Sequence, residues 1–76
     1  MATLEKAFGA VLKQQRVKRK LTQAELAERS DLDVTYISLL ERGGRQPTLK
    51  VFLKLADALG VSPTRILSST LKKYKG

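Results

Sequence analysis

The stretch Thr22–Gly43, which reads TQAELAERSDLDVTYISLLERG, constrains the fold more than any other part of the chain. It contains two short amphipathic segments separated by a tight break. Thr22 is followed three residues later by Glu25, and this spacing predicts a capping box at the start of a helix. Asp33 is a favourable N-cap for a second helix, and Gly43 favours its end. Helices of about eight residues are too short to be stable alone, so the rest of the chain must pack against them.

Three further helices are predicted around this pair, which makes an all-α domain of five helices over residues 1–76. Residues 3–20 carry apolar side chains at helical spacing. Thr48 is the predicted N-cap of a fourth helix, which ends at Gly60. The fifth helix begins at Ser62-Pro63, because proline suits the first helical position.

The fourth helix is apolar on more than one face. Leu49 and Phe52 belong to a stripe predicted to fill the core, whereas Leu53 falls outside it. A helix that is apolar on two faces is buried on two faces, and the second cover is either the chain's own tail or another subunit. The basic tail, residues 72–76, is predicted to be frayed. For a homodimer the candidate interface residues are Val51, Leu53, Ile66 and Leu71; the alternative is that they close the monomer's own core.

The composition narrows the function. The 76 residues carry a net charge of +8 and contain neither cysteine nor histidine. Disulfides, cysteine and histidine zinc sites and the commonest general base are therefore excluded. No apolar run is long enough to span a membrane, and no catalytic constellation or phosphate-binding glycine loop is present. We therefore expect a cytoplasmic protein that is not an enzyme and uses no cofactor. Such a basic chain favours a polyanionic partner, with nucleic acid as the first candidate and an anionic membrane surface as the second.

Two short helices joined by a tight turn are the geometry of a helix-turn-helix, whose second helix enters the DNA major groove. The chain resembles the phage-repressor and Cro-like (Xre) family of transcription regulators over roughly residues 8–67. The matching positions are Gln23, Ala27, Ile37, the run Leu40-Glu41-Arg42-Gly43, the run Pro47-Thr48-Leu49 and the run from Leu55 to Val61. Within the family, the TYIS and LERGGRQPTLK strings are similar to restriction–modification controller proteins. One departure is Asp31, where the family usually has a glycine with positive φ; aspartate tolerates that conformation better than most residues.

The resemblance implies a compact, lambda-repressor-like domain that binds double-stranded operator DNA. With it we expect DNA contacts from Thr22, Gln23, Val34, Thr35, Tyr36, Ser38, Leu39, Arg42, Arg45 and Gln46. Of these, Thr22 and Gln23 would meet a phosphate, and Val34 and Leu39 would contact thymine methyls. The basic end of the first helix adds Arg16 and Arg19 as contacts to the phosphate backbone; the alternative is a solvated face that suits the helix dipole. The resemblance also places a structural ion pair between Arg16 and Glu41.

Two functional interpretations stay open. The first is a sequence-specific transcriptional regulator that binds DNA as a homodimer, with the controller of a restriction–modification operon as one specific form. The second is a protein-interaction or bridging module of the same fold that binds nucleic acid only non-specifically, since fold alone does not decide function. The second helix of the motif favours the first interpretation. Its expected outer positions Val34, Thr35 and Ser38 carry no charge, and Arg42 and Arg45 follow them.

Overall fold

The computed structural model describes residues 3–76 and contains, in that range, five α-helices and no strand. The helices are α1 (Leu4–Lys18), α2 (Gln23–Ser30), α3 (Val34–Glu41), α4 (Leu49–Leu59) and α5 (Pro63–Lys75). Every helix contributes to one core, which consists of Phe8, Val11, Leu12, Leu21, Leu26, Ala27, Ile37, Leu40, Leu55, Ala56, Leu59 and Ile66. The predicted all-α architecture is confirmed.

The first four helices begin at capping side chains. Thr3, Thr22, Asp33 and Thr48 each accept a hydrogen bond from a backbone N–H in the first turn of the helix that follows. At Thr22 the capping box is complete, because the Glu25 carboxylate also accepts from the Thr22 N–H at 2.8 Å. Each bond satisfies a backbone donor that has no partner within the helix. The predicted caps at Thr22, Asp33 and Thr48 are confirmed.

Left-handed residues end two of the helices. Asp31 closes α2 at φ 57° and ψ 44°, so the positive φ expected at this departure from glycine is confirmed. Gly60 closes α4 at φ 67°. Lys20 also has a positive φ, of 59°, and this turn ends α1 at Lys18 rather than at the predicted residue 20.

The C-terminal segment corrects one prediction. Residues 72–75, expected to be frayed, continue α5 as a regular helix to Lys75. The helix begins at Pro63 as predicted, but the side chain of Ser62 makes no capping hydrogen bond. Tyr74 lies on this last part of α5 and is 41% exposed. The helix therefore carries its apolar face further than the sequence indicated.

Gly9 allows α1 and α3 to approach each other closely. It is buried in the interior of α1, and a Cβ atom built on it would lie 2.7 Å from the carbonyl oxygen of Glu41 and nearer still to that of Leu40. Only a residue without a side chain fits there. On another face of α1, the rings of Phe8 and Phe52 meet edge to face with centroids 6.0 Å apart, a favourable aromatic geometry.

The core differs from the predicted one at several apolar positions. Leu49, expected in the core stripe, is 73% exposed. Ile66 is only 2% exposed and belongs to the core of its own protomer, so its assignment to a dimer interface is wrong. Val51 is half-buried against the core. It lies about 200° around α4 from Leu53, so one face of the helix cannot present both.

The exposed apolar side chains of α4 and α5 occupy one face of each helix, and the two faces meet at a shared groove. Leu49 and Leu53 are four residues apart and share a face of α4, and Leu67 and Leu71 do the same on α5. Leu49 and Leu67 line the same groove. We name this surface the α4–α5 strip; its members are Leu49, Leu53, Leu67, Leu71 and Tyr74, exposed by 73, 47, 50, 40 and 41%.

Candidate nucleic-acid interface

The outer face of α3 carries no charge. Val34 is 43% exposed and Thr35 is also exposed, whereas Ser38 and Leu39 are half-buried. The opposite face is anchored, because Ile37 and Leu40 are fully buried. An eight-residue helix whose inner face is locked in the core presents its outer side chains in a fixed orientation.

Arg16 and Glu41 hold α3 against α1. The Arg16 guanidinium donates through Nε to Glu41 Oε2 at 2.6 Å and through Nη2 to Glu41 Oε1 at 3.1 Å. This is the bidentate geometry that suits an arginine fork. Only 11% of the Arg16 side chain and 3% of the Glu41 side chain are exposed. The hydrogen bond to Glu41 raises the pKa of Arg16 above its ordinary value, while burial acts in the opposite direction.

The same pair is tied to α2. Arg16 Nη1 donates to the carbonyl oxygen of Leu21 at 2.8 Å, just before the helix begins. Gln23 Nε2 donates to Glu41 Oε1 at 3.0 Å. Glu41 therefore accepts hydrogen bonds from both Arg16 and Gln23, and it joins α1, α2 and α3 in one network. The Gln23 amide keeps a second N–H and its oxygen for another partner.

The start of α2 is a donor-rich corner. Thr22 Oγ1 accepts from the N–H of Glu25 at 3.0 Å, and the hydroxyl can still donate its own proton. The hydrogen bonds from Thr22 lower the pKa of Glu25 below its ordinary value. Beyond the capping box, the first-turn N–H groups of Gln23 and Ala24 have no acceptor inside the helix. Such a corner suits an anionic oxygen.

The cations around α3 divide into two groups. Arg42 and Arg45 follow α3 and are exposed, as is Gln46; Arg42 Nε also donates to the carbonyl oxygen of Ser38 at 3.4 Å. Arg19 points elsewhere, because its Nη2 donates to the carbonyl oxygen of Gly60 at 3.3 Å. Arg19 thus contacts the end of α4, away from the Arg16 network that the sequence grouped it with.

Tyr36 lies between the surface and the core, half-buried and packed against the core residues.

Two features of the site were not predicted from the sequence. The first is the hydrogen bond from Gln23 to Glu41, which joins residues far apart in the chain and is not predicted by any local sequence pattern. The second is the role of Gly9: the apolar spacing predicts its helix, but nothing local shows that the backbone of α3 passes so close to it.

Within residues 3–76, no cluster of three or more potential ligand side chains could hold a metal ion. In the same range, no helix has both the length and the apolar character needed to cross a bilayer.

Comparison with known proteins matches residues 12–66 to the family described as helix-turn-helix. The chain is 39% identical to the uncharacterized HTH-type transcriptional regulator y4dJ of Sinorhizobium fredii, over 88% of this chain and 87% of that protein. It is 42% identical to the control protein C.BamHI of Bacillus amyloliquefaciens, over 83% and 79% of the two chains. The structure of the restriction–modification controller protein C.Esp1396I, a tetramer in complex with its natural 35-base-pair operator, superposes with a TM-score of 0.88 at 32% identity, over 100% of both chains.

Proposed function

Because this chain belongs to the helix-turn-helix family, we propose that it is a transcriptional regulator that binds double-stranded operator DNA as a homodimer. One observation carries the proposal: the uncharged outer face of α3 is held rigidly by the buried Arg16–Glu41 pair. A helix that recognises the edges of DNA bases needs such a fixed face without carboxylates. The relatives named above are regulators and controller proteins rather than enzymes, and a regulator of this kind acts in the cytoplasm.

Phosphate contacts position the protein on the duplex. The hydroxyl of Thr22, the free N–H of the Gln23 amide and the open first turn of α2 converge on one phosphate. On the other side of α3, Arg42, Arg45 and Gln46 meet the backbone. Arg16, whose guanidinium is engaged by Glu41 and Leu21, orients α2 beside the phosphate, while its charge is balanced by the Glu41 carboxylate. Arg19, whose guanidinium donates to Gly60 at the end of α4, does not belong to this phosphate-contacting surface.

Reading of the sequence depends on four side chains of α3. Val34 and Leu39 contact thymine methyl groups, and Thr35 and Ser38 form single hydrogen bonds with base edges. Tyr36 lies nearer the backbone. Because α3 has no arginine, asparagine or glutamine, the bidentate contacts that read guanine and adenine are not available on it. DNA shape therefore supplies a larger share of the specificity, including Arg45 close to a narrow minor groove.

The α4–α5 strip is the surface we propose for the homodimer. Leu53 and Leu71 were expected there; Leu49 and Leu67 replace Ile66, which the protomer buries itself. For both copies of α3 to enter the major groove one turn of the double helix apart, the two-fold axis through this strip must place them about 34 Å apart. Sedimentation tests this: Leu53→Gln should shift the protein toward monomer. Val17→Gln is the matched control, because Val17 is 55% exposed and lies outside the strip. A wild-type protein that sediments only as monomer, with and without operator, would contradict the dimer.

Control of a restriction–modification operon is the specific form of this function that the relatives favour. C.BamHI and C.Esp1396I are controller proteins, and the second assembles on its operator. A restriction–modification gene pair beside the gene for this chain would support the assignment, and its absence there would argue for another operon.

Selection of bound sequences from a random DNA pool tests the function. We expect a two-fold symmetric site, and band shifts at several salt concentrations should show a slope that corresponds to roughly 6–10 phosphates per dimer. Gln23→Ala should weaken the binding of all sequences alike, whereas Thr35→Ala should change the preferred sequence. Thr64→Ala, an exposed threonine on α5, is the matched control. Equal affinity for every sequence would instead support a bridging module.

A further inference from the structure

A small polar cavity lies at the end of the bundle where α1 and α4 finish and α5 begins. Its volume is about 150 Å³, well above the space that one water molecule needs. Three of its lining residues are cations and none is an acid. The lining residues are Gln15, Lys18, Arg19, Gly60, Val61, Ser62 and Arg65.

The three cations, Lys18, Arg19 and Arg65, have no carboxylate partner. Within residues 3–76 the ion pair that forms is Arg16–Glu41, and none of the three takes part in it. All three residues are exposed, so solvent screens much of the repulsion between their charges, and an anion bound between them would remove the rest.

Helix dipoles explain two of these cations but not the third. Lys18 lies in the last turn of α1 and Arg19 caps that helix, where the negative end of the dipole favours a cation. Arg19 also donates to the carbonyl oxygen of Gly60 at the end of α4. Arg65 is the third residue of α5, at the positive end of a helix of 13 residues, where a cation is disfavoured. A residue that breaks a local rule without visible compensation points to a function.

Ser62 adds a free donor to the same cavity. It is the N-cap of α5, but its side chain makes no capping hydrogen bond, so its hydroxyl is available to a ligand. The side chains of Lys18, Arg19 and Arg65 add charged donors. Among the lining side chains, donors thus outnumber acceptors, and the carbonyl oxygen of Gly60 already accepts from Arg19.

We propose that this cavity binds a phosphate group, with Arg65 as its principal ligand and Lys18, Arg19 and Ser62 as its partners. Arginine favours phosphate because its planar fork matches two phosphate oxygens. The phosphate belongs either to operator DNA that extends beyond the half-site or to a phosphorylated small molecule. The first source rests on the proposed function and the second does not.

Titration of the labelled protein with inorganic phosphate, followed by NMR at constant ionic strength maintained with sodium chloride, tests the cavity directly. We expect saturable shifts of the backbone amides of Ser62, Thr64 and Arg65. Arg65→Gln should weaken this binding at least tenfold. Lys50→Gln removes the same charge from an exposed position at the opposite end of α4 and should leave it unchanged. Shifts that do not saturate, or that saturate equally in Arg65→Gln, would overturn the proposal.

Duplexes of two lengths then identify the source of the phosphate. One contains only the operator that selection defines, and the other adds about ten base pairs on each side, roughly one helical turn. If flanking DNA supplies the phosphate, Arg65→Gln should lower the salt slope on the long duplex by about one per protomer and leave the short duplex unchanged. If the slope is unchanged on both, a phosphorylated small molecule is the source. A failed phosphate titration alongside intact operator binding would overturn the cavity alone and leave the proposed function standing.

Discussion

Substitution of Gly9 by alanine tests how tightly the recognition helix is held. In the interior of an ordinary helix this change stabilises a protein by about 0.5–1 kcal/mol, because alanine has the higher helix propensity. At Gly9 the new Cβ would lie 2.7 Å from the carbonyl oxygen of Glu41 and nearer still to that of Leu40. Both obstacles are backbone atoms, so no side-chain rotation can relieve the clash, and α1 and α3 must separate.

That separation opposes the propensity gain. Overpacking of a well-packed interior costs about 1–3 kcal/mol, and the Arg16–Glu41 bonds stretch as the helices move apart. We therefore expect Gly9→Ala to lower the free energy of unfolding by about 1–2 kcal/mol in net terms. Against a total of about 5–15 kcal/mol for a typical domain, this is a large loss. Operator affinity should fall as well, because α3 loses its fixed orientation.

Urea unfolding followed by circular dichroism at the helix band measures the change, with linear extrapolation to water. Gly44→Ala is the matched control. Its Cβ would meet nothing nearer than Leu39 at 3.5 Å, which is ordinary van der Waals contact, so it should change stability little. A Gly9→Ala protein as stable as the wild type, or more stable, would refute the close approach of α1 and α3 as the reason for this glycine.

Three further predictions concern the pair, the capping box and the base contacts. Arg16→Met and Glu41→Gln should each destabilise by about 2 kcal/mol or more, with a coupling of at least about 1 kcal/mol in a double-mutant cycle by urea unfolding; additive losses would show that the pair contributes nothing as a pair. Glu25 has a pKa lowered by its bonds with Thr22, so its ionised form stabilises the fold above the unfolded pKa and this stabilisation is lost as the pH falls through the folded pKa. The advantage in urea midpoint of wild type over Glu25→Gln should therefore shrink below about pH 4.5, and an advantage that is constant from pH 7 to pH 3 would contradict the linkage. Replacement of thymine by uracil in both half-sites should weaken binding by about 1 kcal/mol for each important methyl group; unchanged affinity in band shifts would remove the methyl contacts from the mechanism.

Local features of this fold were predictable from the sequence. The caps at Thr22, Asp33 and Thr48 depend on bonds within one helical turn, so the residue types and their spacing suffice to predict them. The left-handed conformation of Asp31 is local in the same way. The Arg16–Glu41 pair, by contrast, was implied only by the family resemblance. The two residues are distant in the chain, and the local sequence around each does not indicate its partner.

Tertiary features escaped prediction for a physical reason. Leu49 and Ile66 are both apolar residues on amphipathic helices, yet one is 73% exposed and the other 2%. Periodicity identifies an apolar stripe on a helix but does not tell which edge of the stripe the neighbouring helices cover. The cavity at Arg65 could not be predicted either, because it also requires Lys18 and Arg19, which precede Arg65 by more than 40 positions in the chain.

The side chains of α3 explain why one copy of this domain would discriminate poorly between DNA sequences. Four side chains face the groove in the proposed complex, and without bidentate contacts each discriminates at the low end of the range, about 1 kcal/mol per base pair. From these direct contacts alone, before any contribution from DNA shape, one protomer would separate its operator from random DNA by about 4 kcal/mol, which is the lower limit for specific regulators. Two protomers reach about 8 kcal/mol, well within the usual range of about 4–10 kcal/mol. On this reasoning the α4–α5 strip is as necessary to sequence recognition as α3, since it doubles the number of contacts without altering any of them.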